Sequence, residues 1–187
     1  MDFNPPTELA TTEFILFPTN DKYNQYDYVA VMRNIELLRI WSQSTWPEDE
    51  FSPKQNKEDL QKHIEDNRTH AAYGYMLFEP EFAKCYGSVY VNPLEVVKNN
   101  YELTNEQRNI LDQYDARVDF WVIEDSSDLE KIITEELRDW FKNVWKINVL
   151  FSARVGLNKR VEIYNELGIE CKMALKSKTS EMNLLLF

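Results

Sequence analysis

The sequence predicts an α/β protein: a single domain over residues 1–187 with a mixed sheet (α+β in arrangement) and helices on its faces. Three observations predict it. Segments at helical spacing alternate with short runs rich in Val, Ile, Phe and Tyr. The stretch from Arg117 to Phe151 has the order of a strand–helix–strand crossover, which is right-handed and parallel in nearly all proteins. Hairpin patterns lie on both sides of it and ask for antiparallel pairing. With 187 residues, 43% of them hydrophobic, the chain has material for one core.

Glu13 to Phe17 reads as the first strand, stopped by Pro18. Tyr28 to Trp41 reads as one helix, because Tyr28, Val31, Met32, Ile35 and Leu38 recur at helical spacing. Ser42 to Pro53 is a loop that carries Trp46, Pro47 and Phe51 around Glu48-Asp49-Glu50, and a helix follows over Lys57 to Asn67. Ala71 to Phe78 and Lys84 to Val91 form a hairpin about the turn Glu79-Pro80-Glu81, and Asn92-Pro93 stops its second strand. Thr104 and Gln107 have capping-box spacing, which predicts a helix over 104–114. Arg117 to Ile123 is a strong strand. Ser127 and Glu130 repeat the capping-box spacing ahead of a helix whose Leu129, Ile132, Ile133, Leu137, Trp140, Phe141 and Val144 make one buried face. A strand over Ile147 to Phe151, a helix over Asn158 to Leu167 closed by Gly168, and two strands at about 170–176 and 181–187 complete the chain.

The formal net charge of −11 repels polyanions, so nucleic acid is not an expected partner, while cationic ligands are attracted. Only four glycines are present, too few for chemistry that needs a glycine-rich phosphate loop. Cys85 and Cys171 have neither metal-site nor disulfide-framework spacing and read as two buried free thiols of a reducing, cytoplasmic setting. The first residues lack the basic and apolar regions of a signal peptide, and no apolar run is long enough for a bilayer, so no membrane partner is expected. The apolar end, Leu184-Leu185-Leu186-Phe187, reads as a last strand that offers an edge for a homodimer. His63 and His70 read as surface residues, and no cluster suggests a metal.

The segment Asn158-Lys-Arg-Val161-Glu-Ile-Tyr164-Asn-Glu-Leu167-Gly168-Ile169 resembles one that many GNAT-superfamily N-acetyltransferases carry after the strand that follows their cofactor helix. Asn158, Tyr164 and Gly168 agree in type and order; Val161 stands for the usual Ala and Ile169 for the usual Phe. The strand Cys85-Tyr86-Gly87-Ser88-Val89-Tyr90-Val91 and the helix segment Leu38-Arg39 with Trp41-Ser42, ahead of a Trp-Pro loop, resemble other parts of that family. The resemblance implies a GNAT-like acyl-CoA N-acyltransferase fold, with acceptor-side helices at about 26–68 and the central strand, cofactor helix and motif helix at about 116–168. It implies transfer of an acyl group from acetyl-CoA to a small-molecule or peptide amine.

The family's pyrophosphate loop, Gln/Arg-x-x-Gly-x-Gly/Ala, is replaced here by Glu124-Asp125-Ser126-Ser127-Asp128-Leu129. Glycines let backbone N–H groups close on a pyrophosphate at a helix N-terminus; three carboxylates repel it. Weakened or absent coenzyme A binding is therefore expected, and with it two other readings: a catalytically degenerate binding or interaction module, and a binder of a small cationic ligand.

The resemblance assigns Tyr164 to protonating the departing thiolate, Asn158 to the pantetheine arm, and the backbone N–H groups near Val122 and Ile123 to the thioester carbonyl, with Ser126 and Ser127 as hydroxyl donors. Each has a plainer alternative, such as a helix-face tyrosine with a satisfied hydroxyl, or Asn158 as a helix N-cap. Asp119 or Glu124 supplies a carboxylate that deprotonates the amine; Asp119 alternatively pairs with Arg117. Trp41, Trp46 and Phe51, with Glu48, Asp49 and Glu50, either wall an acceptor pocket or form an aromatic cluster beside a solvated loop.

Overall fold

The computed structural model describes residues 4–179 and 183–187. Its strands are β1 (Leu9–Ala10), β2 (Ile15–Pro18), β3 (Tyr73–Phe78), β4 (Cys85–Asn92), β5 (Ala116–Val122), β6 (Val149–Arg154), β7 (Met173–Lys176) and β8 (Asn183–Leu186). They lie in one mixed sheet in the order β1-β2-β3-β4-β5-β6-β8-β7. Helices α1 (Asn24–Arg33), α2 (Ile35–Ser42), α3 (Pro53–Thr69), α4 (Glu95–Asn100), α5 (Asn105–Leu111), α6 (Glu130–Trp140) and α7 (Asn158–Glu166) accompany them. The chain divides into two compact units, residues 1–90 with 120–129 and residues 91–119 with 130–187.

In the first unit, β1, β2 and β3 pair antiparallel, with Leu9 opposite Leu16 and Ile15 opposite Phe78. Every residue of β3 is buried, so its run of Tyr, Met, Leu and Phe serves both faces of the sheet. α3 starts at a full capping box, with Ser52 and Gln55 exchanging bonds and Pro53 at the first helical position. The helix predicted over Tyr28 to Trp41 is two helices, broken at Asn34. The Asn34 side-chain amide donates to the Ala30 carbonyl at 2.7 Å, the acceptor its own backbone N–H would use in a continuing helix. That N–H turns instead to Val31, at 3.1 Å.

In the second unit, β5 and β6 run parallel, with Ala116 opposite Val149 and Val118 opposite Phe151, as the crossover predicts. β8 pairs antiparallel with β6 on one side and β7 on the other. This corrects the expectation of a dimer edge at the C-terminal strand: β8 is internal, because its apolar residues Leu184 and Leu186 are fully buried in a cluster with Val97, Leu111, Leu150 and Leu175. Residues 181 and 182 of the predicted last strand lie outside the described residues. α5 begins at the predicted Thr104/Gln107 box, whereas α4 was not legible in a polar stretch. The Ser127/Glu130 box does not form. α6 is entered through a 3-10 turn over Glu124–Leu129, and the Glu130 carboxylate takes Arg160 at 2.6 Å.

On the predicted face of α6, Ile133, Leu137, Trp140 and Phe141 are buried while Leu129 and Ile132 are half-buried, and beyond Phe141 the face slips. Phe141–Trp145 is a π turn, which adds a residue to the helical repeat. Val144, expected inside, is 58% exposed, and Trp145 is buried in its place against Trp140 and Phe141. α7 ends as predicted, with Gly168 left-handed at φ +66°. The two thiols are free, but only Cys85 is buried; Cys171, outside the apolar strand that follows it, is exposed.

Candidate functional site

The end of β5 and the turn after it are where a helix N-terminus meets a strand. Three backbone donors there are already committed. Ile123 N–H donates to the Tyr86 carbonyl at 2.8 Å, Ser126 N–H to the Ile123 carbonyl at 3.0 Å, and Glu124 N–H to the Asn34 side-chain oxygen at 2.9 Å. Ile123 is thus not offering the N–H assigned to a thioester carbonyl; it bonds to β4 instead. Val122 and Ile123 are both buried. Ser126 is buried and Ser127 half-buried, while Glu124, Asp125 and Asp128 are exposed. Lys84 lies 3.8 Å from Asp125. A pyrophosphate fits this turn poorly: three of the donors at its start are spent and its exposed side chains Glu124, Asp125 and Asp128 are anionic.

Tyr164 and Asp119 meet at Ser152, in the second unit. Tyr164 is fully buried on α7 between Phe151 and Phe187, and its hydroxyl donates to the Ser152 carbonyl at 3.2 Å. Burial pushes its pKa well up, so it holds its proton firmly. The Ser152 hydroxyl bonds to the Val118 carbonyl at 3.0 Å and to the Asp119 carboxylate. Asp119 is buried and paired with the equally buried Arg117 at 2.5 Å. Burial would raise its pKa, but the charges of Arg117 and Arg154 and the bonds from Ser152 and Arg117 outweigh that and hold it below the usual carboxylate range. A carboxylate so held is a weak base. Asn158 is exposed at the first helical position, and the N-cap is Leu157 with no side-chain bond, so Asn158 is not the cap that the sequence offered as its alternative role.

The aromatic loop closes on itself. Trp46 meets Phe51 edge-on, its indole N–H donates to Asp59 at 3.3 Å, and Trp41 packs near Tyr90. Arg39 binds both Pro47 and Asp49 and ties the acidic run down. His63 is half-buried against Tyr90 rather than on the open surface, because the ring covers an apolar sheet face. Among the described residues, no group of three or more His, Cys, Asp or Glu is gathered to hold a metal. No helix among them is long and apolar enough to cross a membrane.

The first unit holds a cleft of about 440 Å³ that the sequence did not reveal. α1 lines one side with Tyr26, Val29, Ala30 and Arg33; the β3–β4 turn gives Lys84 and Cys85; the end of β5 gives Ile123, Glu124 and Asp125. Of these, the sequence marks Ile123 and Glu124 as site candidates and Asp125 as part of the acidic loop. The others converge through tertiary packing that no local spacing encodes.

Asp27 is buried on α1, next to this cleft's Cys85. Its carboxylate accepts from Asn56 at 2.8 Å and lies 4.0 Å from the Cys85 sulfur. Burial raises its pKa from the ordinary 3.8 to about 6, against the Asn56 bond. Folding therefore favours the protonated acid. The stabilisation is fully present below pH 3.8 and is lost as pH rises through about 6. His63 acts oppositely: burial lowers its pKa from 6.5 against the pull of Asp66 and Asp59, so its stabilisation is present above pH 6.5 and is lost as pH falls through the lowered value. Asp27→Asn keeps an acceptor for Asn56. It should be more stable than the parent by about 2–3 kcal/mol at pH 8 and lose that advantage by pH 4, read by urea unfolding at both values. Equal gains at both pH values would refute the assignment to Asp27 titration.

No family model and no curated protein matches this chain. Solved structures do. RimL, a ribosomal L7/L12 α-N-protein acetyltransferase in complex with coenzyme A, is 13% identical, with a TM-score of 0.69 and 96% of each chain covered. Microcin C7 self-immunity acetyltransferase MccE, in complex with acetyl-CoA and AMP, is 12% identical, with a TM-score of 0.67 and coverage of 95% of this chain and 93% of its own. A GNAT-family acetyltransferase from Bacillus anthracis is 4% identical, with a TM-score of 0.67 and 96% of each chain covered. The chain has the GNAT acetyltransferase fold over at least 95% of its length, as the segment at Asn158–Ile169 implied.

Proposed function

We propose that this chain is a cytoplasmic N-acetyltransferase that moves an acyl group from acetyl-CoA to an amine on a small molecule or peptide. The observation that carries this reading is the shared fold, which covers at least 95% of this chain and 93% of the neighbour for RimL, MccE and the Bacillus anthracis protein alike. Fold alone does not fix chemistry, so the residues bear the test. Glu124, exposed at the cleft rim, is the better placed carboxylate for an amine's proton, and Asp119 holds the buried framework behind Ser152. Tyr164 keeps a protonated hydroxyl at the Ser152 carbonyl, and Val122, Ser126, Ser127 and Asn158 remain the candidates for contact with an acyl donor. The poor fit of the turn 124–129 to a pyrophosphate favours a second reading, a GNAT-fold module that binds without catalysis.

Calorimetry with acetyl-CoA separates the two. Under the first reading, wild type and Tyr164→Phe both bind in the micromolar range. The variant unfolds about 1 kcal/mol more easily, for one lost hydrogen bond, and loses most of its acetyl transfer to an amine panel. No heat and no thermal shift at millimolar acetyl-CoA would sink acetyl transfer and leave the binding module.

A further inference from the structure

The cleft between α1, the β3–β4 turn and the end of β5 has the volume of small-molecule sites. Its wall is apolar where Val29, Ala30 and Ile123 line it. Tyr26 and Val29, two of the exposed large hydrophobic residues of this chain, are 46% and 37% accessible there. Exposed apolar side chains that line a concave surface gain by being covered.

Its charges are of both signs. Arg33 and Glu124 line it, both exposed, and neither side chain makes an ion pair with the other or with any described residue. Lys84 and Asp125, also lining it, stand 3.8 Å apart. In a chain of net charge −11, two cations facing two carboxylates in one cleft is a local departure from the general field. A simple polyamine placed there would meet Arg33 and Lys84, and a simple anion would meet Glu124 and Asp125. A ligand with one charge of each sign satisfies Arg33 and Glu124 together.

We infer that this cleft binds a small zwitterion, an amino acid or dipeptide with a free ammonium, a free carboxylate and an aliphatic side chain. Glu124 takes the ammonium, Arg33 takes the carboxylate through its planar fork of donors, and Tyr26, Val29 and Ile123 cover the side chain. The ligand's role as acyl acceptor rests on the acetyltransferase reading; its binding does not.

Leucyl-leucine is the probe, titrated by calorimetry without any acyl donor, beside leucyl-leucine amide and N-acetyl-leucyl-leucine. The free dipeptide should bind, and each blocked form should bind about tenfold or more weakly, the loss of one charged contact. Arg33→Ala should abolish the preference for the free acid over the amide. Glu124→Gln should abolish the preference for the free amine over the acetylated form. Both side chains are exposed, so neither variant is expected to unfold. No binding at millimolar dipeptide overturns the inference. So does an amide that binds as well as the acid, or a variant that leaves both preferences unchanged. Dipeptide binding without acetyl-CoA binding leaves the inference standing and removes only acyl transfer.

Discussion

Gly87→Ala should cost about 3–5 kcal/mol of folding stability, among the largest single-residue effects in this chain. Gly87 lies in β4 with φ +154°, outside the range that L side chains adopt readily. A Cβ there would stand 2.9 Å from the Trp121 carbonyl carbon and closer still to its oxygen. The obstacle is backbone of a neighbouring strand, not the end of a flexible side chain, so the strand itself would have to move. That movement would also break the Ile123 N–H bond to Tyr86 one residue away. Denaturant unfolding of the variant checks this; a loss below about 1 kcal/mol would mean the strands part easily at this point.

Asp119→Ala should cost about 3–5 kcal/mol, because it strands the Arg117 guanidinium in the interior without its counter-charge. It also removes an acceptor from Ser152, whose carbonyl holds Tyr164. The double variant Arg117→Met with Asp119→Leu should recover most of the loss, since an apolar pair of similar size avoids burying charge. An activity loss in Asp119→Ala alone would not identify a base; activity restored in the double variant would show a framework role, and activity still absent in a refolded double variant would point to the carboxylate itself. If the double variant is no more stable than the single one, the buried charge is not the cause.

Local rules carried the sequence reading wherever nothing distant competed. The Thr104 box formed because its partners are three residues apart and solvent is the only rival. The Ser127 box did not, because a buried Arg160, thirty residues from Glu130, needs that carboxylate more than a backbone N–H does. The break at Asn34 escaped hydrophobic periodicity because it is made by a polar side chain capturing a carbonyl, with no change in the apolar pattern. Tyr164, Asp119 and Glu124 were visible as residue types at plausible places. That Tyr164 and Asp119 converge on Ser152 depends on β5–β6 register and the packing of α7, which spacing does not encode. The cleft depends on three segments far apart in sequence, and only its β5 end was foreseen.

The π turn at Phe141–Trp145 bears on how this chain tolerates changes in its length. Ahead of it the helix counts in steps of 3.6; within it the count is one residue longer, and Trp145 rather than Val144 reaches the interior. A single-residue deletion inside an ordinary helix rotates everything beyond it by about 100° and scrambles the buried face. Here the surplus residue is already accommodated, so a deletion at exposed Lys142 or Asn143 returns the segment to the common repeat while Trp145 keeps its inward direction. A relative without the extra residue, aligned here without a gap, would have its β6 residues displaced by one, and strand faces would be exchanged on paper although they agree in space.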